Sequence, residues 1–410
     1  MLRLTSIITI MTLLPTLLST KITDSLKKQE FINQCDFEYE TTISRHFHNL
    51  KDPRKSGMIQ HKLIDIITMT ICAVLCGADD WVGIETVAKA KENFFRRFLE
   101  LPYGIPSHDT FNNVFRYLSA SELQSCFSKW VNELVTFEQD DVVAIDGKTL
   151  RRSYDRQSGK GAIHMVSAWA QRQKMVLGQL KTEEKSNEIT AIPILLKLLD
   201  IQGCIVTIDA MGCQRKIART ILDRQANYVL ALKGNQGNLH KEVKAFFNDA
   251  FKTGFMNIPH DYHETIDAGH GRVEVRRYWT VEGLQWLTQT NKWAGLTSVG
   301  IVESERHIDG KVTTEQRCFI SSLNSDAKRF GKAVRGHWSI ENDLHWSLDV
   351  SFNEDQSRVR KGQGAENLAV IRHIALSLLK QETSAKIGIR NKRLKVASDE
   401  EYMLKVLMSN

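Results

Sequence analysis

Two short β-branched segments that each end in an aspartate constrain the fold of this 410-residue chain more than any other feature. The first is VVAID, which ends at Asp146, and the second is IVTID, which ends at Asp209. A continuous apolar run that stops at a turn-forming residue is typical of a buried strand. Around these segments the pattern runs three strands, helix, strand, helix, strand. We therefore predict an α/β fold with a mixed sheet and helices on its faces.

The two aspartates are also the first candidates for chemistry. Ligand sites in open α/β sheets lie at the carboxyl ends of strands, so adjacent strands would bring Asp146 and Asp209 close together. Two ionised carboxylates at so short a distance repel each other, so they must share a proton or bind a cation. Mg²⁺ prefers such oxygen ligands. Gly147 is expected to let the backbone turn and to keep the site open. Aspartate also ends strands because it favours turns, and this structural interpretation stays open.

A third carboxylate is expected from the stretch RGHWSIENDLHWSLDVSFNED. If this stretch is helical, Glu341, His345 and Asp349 lie on one face, because residues four apart align. A carboxylate among aromatic side chains is costly to bury unless it meets a cation. The spacing alone does not distinguish Glu341 from Asp349 as the third acid.

Changes in the residue pattern divide the chain into a leader, a helical N-terminal domain, an α/β core in two parts with a β-rich insertion between them, and a basic C-terminal tail. In chain order, the predicted segments are residues 1–40, 41–138, 139–250, 251–323, 324–382 and 383–410.

The net charge of +7 is modest but unevenly distributed. Between Gln356 and Val396, ten basic residues face two acidic ones, and the rest of the chain is nearly neutral. This stretch is either a solvated helix face with a loose tail or a surface that binds phosphates. The hydrophobic content of 42% excludes a disordered chain, and seven scattered cysteines without a CxxC pair indicate neither a disulfide framework nor a zinc module.

The first twenty residues contain an apolar stretch that resembles the central region of a signal peptide. They lack a good cleavage site and are too short and polar for a membrane-spanning helix. We interpret this leader as a non-native extension, such as a start codon assigned too far upstream. The predicted location is the cytoplasm, in association with the nucleoid and without a membrane partner.

Six motifs occur along the chain in the order AIDGKTLRRS, TEEKSNEITAIP, TIDAMGCQ, LKGNQG, HGRVEVR and RGHWSIENDLHWSLDVSFNED. In that order they closely resemble the ISAs1-type insertion-sequence transposases, which include the H-repeat-associated proteins. The resemblance runs from about Phe47 to Tyr402. It implies a DDE transposase with an RNase H-like core, in which Asp146, Asp209 and Glu341 are the catalytic triad. The same resemblance implies that the triad binds two Mg²⁺ ions, for which Mn²⁺ can substitute.

The function that this resemblance implies is the cutting and joining of DNA strands by two-metal phosphoryl transfer. The implied partners are the terminal inverted repeats of the element and the target DNA. A homodimer on DNA is the assembly favoured by the need to bring two ends together. The alternative hypothesis is an inactive or domesticated DNA-binding relative that keeps the fold without transposing.

The candidate DNA contacts are Lys148, Arg151, Arg152, Lys233, Arg335, His337, Arg390, Lys392 and Arg393. The first three follow the first acid, where a solvated basic turn is the alternative interpretation, and the last three lie in the predicted tail. Broader relatives carry Tyr, Arg and Lys around the third acid, where this chain has Val334, His337 and Leu348. The DNA contacts of that set therefore do not transfer, and Arg335 and His337 are the candidates to replace them.

Overall fold

A nine-stranded mixed sheet forms the centre of the computed structural model, which describes residues 45–155, 159, 161–182, 188–269 and 271–408. The predicted leader, residues 1–40, lies outside these residues. The strands are β1 Val142–Leu150, β2 Ile163–Ala170, β3 Met175–Lys181, β4 Ile205–Ile208, β5 Asn227–Leu232, β6 Asp261–Gly269, β7 Arg272–Val281, β8 Ser298–Ile308 and β9 Lys311–Ser321. Their order across the sheet is β3-β2-β1-β4-β5-β9-β8-β7-β6.

The first five strands form the core that the sequence predicts. Strands β1, β2 and β3 are an antiparallel meander, and β4 pairs in parallel with both β1 and β5. This mixed arrangement with packed helices confirms the expected α/β class and its RNase H-like core. The β-rich insertion does not form a separate sheet, because β9 pairs antiparallel with β5 and the insertion strands extend the core sheet.

Helices cover both faces of this sheet. In the described part of the chain they are α1 Arg45–Phe47, α2 Leu63–Leu75, α3 Trp81–Ala90, α4 Glu92–Phe95, α5 His108–Tyr117, α6 Ala120–Leu134, α7 Glu188–Leu198, α8 Arg215–Asp223, α9 Gly237–Lys252, α10 Ala327–Ser339, α11 Trp346–Phe352, α12 Gly364–Gln381, α13 Ile389–Ser398 and α14 Glu400–Leu407. A π-helical segment, Ile340–His345, joins α10 to α11, and a 3-10 turn, Glu354–Gln356, follows α11.

The helical N-terminal region shares its core with the rest of the molecule. Helix α2 is buried along almost its whole length and packs against α12. Helix α12 also contacts the end of α5, where the side-chain amide of Asn367 donates hydrogen bonds to the carbonyls of Phe115 at 2.7 Å and Leu118 at 2.9 Å. Ser119 caps α6, as its sequence predicts, by accepting a hydrogen bond from the Glu122 amide at 3.3 Å. No helix within the described residues is both long and apolar enough to cross a membrane.

The predicted basic tail is instead a pair of helices, α13 and α14, that pack onto the core. Lys392 and Arg393 are each 6% exposed. Lys392 donates to the Leu379 carbonyl at 2.9 Å, and Arg393 donates to the Val74 carbonyl at 2.8 Å. Buried cations that satisfy backbone carbonyls are structural and cannot reach a DNA phosphate. The structure thus corrects the prediction that Lys392 and Arg393 bind DNA.

Candidate active site

Asp146 and Asp209 are neighbours on the same face of the sheet. Strands β1 and β4 are parallel with Ile145 opposite Ile208, so each aspartate is the next residue along its strand. Successive strand residues alternate between faces, and Val142, four residues before Asp146, contacts α10 at Gly336. Both aspartates therefore lie on the face that α10 covers, at the level of the carboxyl end of β4.

Glu341 lies near Asp146 and comes from the π-helical segment that follows α10. A π turn adds a residue to the helix and occurs frequently at functional sites. Here it keeps Ile340 and Leu344 buried, while Glu341 keeps a side chain that is 59% exposed. Helix α11 then runs on beside β1, so that Asp349 meets Lys148 with 2.6 Å between Oδ1 and Nζ. The sequence did not distinguish Glu341 from Asp349 as the third acid, and the structure does, because Glu341 faces Asp146 whereas Asp349 faces Lys148.

His345 lies between the carboxylates of Asp146 and Glu341. Its Nδ1 is 3.1 Å from Glu341 Oε2 and 3.6 Å from Asp146 Oδ2. One donor atom from each of these three residues lies within 4.8 Å of the other two, which makes the group a candidate cation site. Asp209 stands beside this group, and its Oδ1 accepts hydrogen bonds from the amides of Met211 at 3.0 Å and Gly212 at 3.1 Å.

A cavity of about 630 Å³ brings the three acids together. Its walls include Asp146, Asp209 and Glu341, and Lys233 and His337 line the same cavity. The Nδ1 of His337 is 3.3 Å from the Thr207 hydroxyl oxygen. A pocket that joins three carboxylates to basic side chains can hold a cation and a phosphate side by side.

The electrostatics of the cavity favour a cation. Burial raises the pKa of Asp146 to about 6, the nearby His345 opposes this rise, and the charges of Glu188 and Asp209 add to it. By contrast, the hydrogen bond with His345 lowers the pKa of Glu341. Burial lowers the pKa of His337, so this imidazole is neutral at pH 7. A carboxylate with two anionic neighbours is relieved of its unfavourable charge when a cation binds.

Gly147 has a different role from the one its sequence suggests. Strand β1 does not end at Asp146 but continues to Leu150, so Gly147 is not a turn. A Cβ atom at this position would lie 2.1 Å from Glu188 Oε1 and 2.5 Å from His164 Nε2. These two groups are themselves 2.7 Å apart. Glycine is therefore needed because the Glu188–His164 pair packs directly on the backbone next to Asp146.

The predicted DNA contacts fall into three groups. Lys233, Arg335 and His337 lie around the cavity or on the adjacent surface of α10, with Lys233 and Arg335 exposed. Arg151, Arg152 and Arg390 are exposed outside the cavity.

Lys148 forms the third group together with the buried Lys392 and Arg393. Its Nζ is 2.6 Å from Asp349, 2.8 Å from Glu354 and 3.5 Å from Asp355. Three carboxylates of its own chain therefore hold this ammonium, and a contact of Lys148 with DNA stays a prediction.

Sequence reasoning missed His345 and Glu188 as site residues. The signal for His345 was present, since it lies four residues after Glu341 on the same helix face. Glu188 lies in the motif TEEKSNEITAIP and begins α7, but no pattern in its own segment links it to β1. Its approach to Gly147 arises only from the packing of α7 against the sheet.

Two models of known protein families match this chain. A family model described as "Transposase DDE domain" matches residues 138–378, from just before β1 into α12. The chain belongs to the DDE transposase family. A second model, described as "DDE_Tnp_1-associated", matches residues 44–131, the helical N-terminal region of this transposase. As a member of the family, the protein is a DDE-type enzyme that cleaves and transfers DNA strands, binds DNA and uses divalent metal.

Two relatives of this transposase come from Escherichia coli. The "H repeat-associated putative transposase YhhI" of strain K12 is 40% identical over 371 residues, which cover 89% of this chain and 97% of the relative. The "Putative transposase YncI" of strain O157:H7 is 42% identical over 366 residues, which cover 88% and 93%. A solved piggyBac transposase synaptic complex with hairpin DNA aligns with a TM-score of 0.40 and 11% identity, over 89% of this chain and 77% of that chain.

Proposed function

We propose that this transposase cuts and joins DNA at the ends of an insertion sequence by phosphoryl transfer, with Asp146, Asp209 and Glu341 as its catalytic carboxylates. The observation that carries the proposal is their convergence, from two strands and a π-helical segment, on one cavity. The relatives YhhI and YncI are named as putative transposases, and this chain aligns with nearly the whole length of each.

The donor set of the cavity fits two divalent cations. It consists mainly of carboxylate oxygens, which Mg²⁺ prefers and Mn²⁺ also accepts. Asp146 neighbours both of the other acids, so we propose that it is shared by the two ions while Asp209 and Glu341 each complete one site. Bound divalent cations would supply Lewis-acid stabilisation of the charge that develops on phosphoryl oxygens.

The basic side chains at the cavity would hold the DNA strand against the carboxylates. Lys233 is exposed at the end of β5 and offers a point charge with three donors, which suits a phosphate oxygen. Arg335 lies on the exposed side of α10, one and a half turns before Glu341, where its guanidinium is 3.9 Å from the exposed Asp267 carboxylate. His337, neutral at pH 7, would offer a hydrogen bond without adding charge.

Exposed arginines outside the cavity would extend this surface along the DNA. We propose that Arg151 and Arg152, which follow β1, and Arg390 on α13 contact backbone phosphates. Contacts of this kind position the duplex and contribute affinity without reading sequence. Because two element ends must be joined, we also propose that the protein acts as a homodimer on the terminal inverted repeats and the target DNA.

Strand cleavage by the purified full-length protein tests this function. A duplex that carries one element end should be nicked in the presence of Mg²⁺, and chelation should abolish the nicking. Separate Asp146→Ala, Asp209→Ala and Glu341→Ala variants should each lose more than about a hundredfold in rate, because each removes a metal ligand.

Asp343→Asn is the matched control for Glu341. Asp343 lies in the same π-helical segment, but its carboxylate is 3.2 Å from Lys380 and not at the cavity. This variant should cleave within about threefold of wild type, as expected for a partly exposed ion pair. Equal nicking by wild type and Asp146→Ala would contradict the triad. Specific end binding without any cleavage by the wild type would instead identify a relative that does not transpose.

A further inference from the structure

The candidate cation site formed by Asp146, Glu341 and His345 differs from the all-carboxylate site that the triad alone would make. Its third donor is an imidazole nitrogen, whereas Asp209, the remaining acid of the cavity, lies outside this group. We propose that His345 is a metal ligand of this transposase, so that one of its two cation positions is built from two oxygens and one nitrogen. This inference rests on the metal-dependent function proposed above.

The distances between the donor atoms fit a single ion. A six-coordinate ion with bonds of about 2.1 Å places neighbouring ligands roughly 3 Å apart and opposite ligands roughly 4 Å apart. His345 Nδ1 is 3.1 Å from Glu341 Oε2 and 3.6 Å from Asp146 Oδ2, and no pair in the group exceeds 4.8 Å. Small rotations of the exposed Glu341 side chain are enough to close the site around an ion.

His345 is held in place more firmly than a surface histidine. Its side chain is only 6% exposed, and the neighbouring Leu344 is fully buried. The ring enters from the π-helical segment with Nδ1 toward the two carboxylates and Nε2 toward the interior, where Nε2 has no hydrogen-bond partner among the described residues. A fixed imidazole whose accessible nitrogen points between two carboxylates is arranged as a ligand is, and its burial prevents direct contact with DNA.

The two proposed cation positions therefore differ in chemistry. Asp209 holds one carboxylate oxygen against two backbone amides, which leaves its other oxygen and a shared Asp146 for an all-oxygen position. The position with His345 adds nitrogen, and imidazole favours transition metals over Mg²⁺, which prefers oxygen and gives up its water reluctantly. We infer that Mn²⁺ binds first at the position with His345 and that Mg²⁺ discriminates less between the two.

Electron spin-echo spectroscopy of Mn²⁺ bound to the full-length protein tests this directly, because it detects a ¹⁴N nucleus coordinated to the ion. Wild type with one equivalent of Mn²⁺ should show ¹⁴N modulation, and His345→Gln should lose it. The Kd for Mn²⁺ in His345→Gln should rise at least about tenfold, while the Kd for Mg²⁺, measured by competition, should change less.

His337→Gln is the matched control, since His337 lines the same cavity but lies outside the three-residue group. This variant should keep the ¹⁴N modulation, and its loss there would overturn the assignment to His345. Mn²⁺ that binds to wild type without ¹⁴N modulation would overturn the inference while leaving the metal-dependent triad intact. A wild type that binds no Mn²⁺ would overturn both. If His345→Gln fails to fold, a wild-type spectrum without ¹⁴N modulation still overturns the inference, and modulation that persists in His337→Gln still supports it.

Discussion

Two clusters of carboxylates lie at neighbouring positions on the same face of β1, and the protein neutralises them very differently. In the cluster around Lys148, the carboxylate of Glu354 lies 2.8 Å from the Lys148 ammonium and 3.8 Å from the Arg372 guanidinium. Around Asp146, the neighbouring charges are further acids, opposed by the imidazole of His345. The first cluster has its cations built in, whereas the second keeps excess negative charge, which a cation from solution would offset.

This difference shows that the number of acids in a motif does not decide their role. Glu341, Asp349 and Glu354 all come from the same motif, yet Glu341 lies near Asp146 while the other two pair with Lys148. Burial opposes the charge of Lys148, but Glu354 and Asp349 outweigh it and raise the pKa of the ammonium. Neutralised acids of this kind hold a fold together, while under-neutralised acids mark a site that binds an ion.

The largest effect that tests this comparison is expected from Lys148→Met. The substitution leaves Glu354, whose side chain is 2% exposed, without its closest cation. Breaking a buried pair by removing one partner costs about 3–5 kcal/mol, because the remaining charge stays buried. Urea unfolding of the full-length protein should show this loss in the free energy of unfolding.

Arg151→Met is the matched control, since Arg151 pairs with Asp355 at 3.1 Å but is 78% exposed. An exposed pair contributes at most about 1 kcal/mol. The double variant Lys148→Met/Glu354→Gln should recover part of the lost stability, because it removes the stranded charge and still offers Arg372 an amide oxygen. If Lys148→Met costs no more than Arg151→Met, the two carboxylate clusters are not distinguished by their neutralisation.

The fold was largely predictable because its signals are local. The β-branched runs of β1 and β4 and the capping pattern of α6 are encoded within a few residues of each element, and the structure confirms them. Strand β6 lies within the predicted β-rich segment, but most of its residues are exposed, so it has no buried apolar face of its own. That β9 pairs with β5 is a contact between distant segments, which no local pattern contains.

The site was predictable only in part, for the same reason. The β-branched runs that lead to Asp146 and Asp209 mark these two residues, but contacts between distant segments, such as that of Asp349 with Lys148, decide which acid faces which partner. The basic residues of the C-terminal segment gave the clearest error. Charge along the sequence does not show that Arg393 turns inward to the Val74 carbonyl, some 300 residues away, while Arg390 stays outside.

A second prediction concerns the under-neutralised cluster and its dependence on pH. The pKa of Asp146 is raised in the folded protein from 3.8 to about 6, so ionisation of this carboxyl destabilises the fold. The penalty is absent below about pH 4, grows between pH 4 and 6, and above that amounts to about 3 kcal/mol. Asp146→Asn cannot ionise and should therefore gain that stability over wild type between pH 4 and 7, in buffer that contains a chelator.

The same comparison with Mg²⁺ present supplies the control. Bound cation should stabilise wild type and not Asp146→Asn, so that the difference between them narrows as Mg²⁺ is added. A difference in unfolding free energy that stays constant from pH 4 to 7 would mean that the protein's own groups already neutralise Asp146. The pocket would then resemble the Lys148 cluster, and its proposed need for a cation would fall.

The smallest expected effect extends the comparison to basic residues. Arg393 is buried, donates to backbone carbonyls and lies 3.4 Å from the Asp79 carboxylate, whereas Arg390, three residues earlier, is exposed and has no ion-pair partner within the described part of the chain. If Arg390 contacts a phosphate, Arg390→Ala should weaken binding to every DNA sequence equally and reduce the slope of log K against log salt by about 1. Arg96→Ala is the control, because Glu92 already pairs with that exposed arginine at 2.6 Å and no slope change is expected. Equal slopes for Arg390→Ala and wild type would leave α13 as a solvated face, and the DNA surface would then be confined to the cavity and the arginines that follow β1.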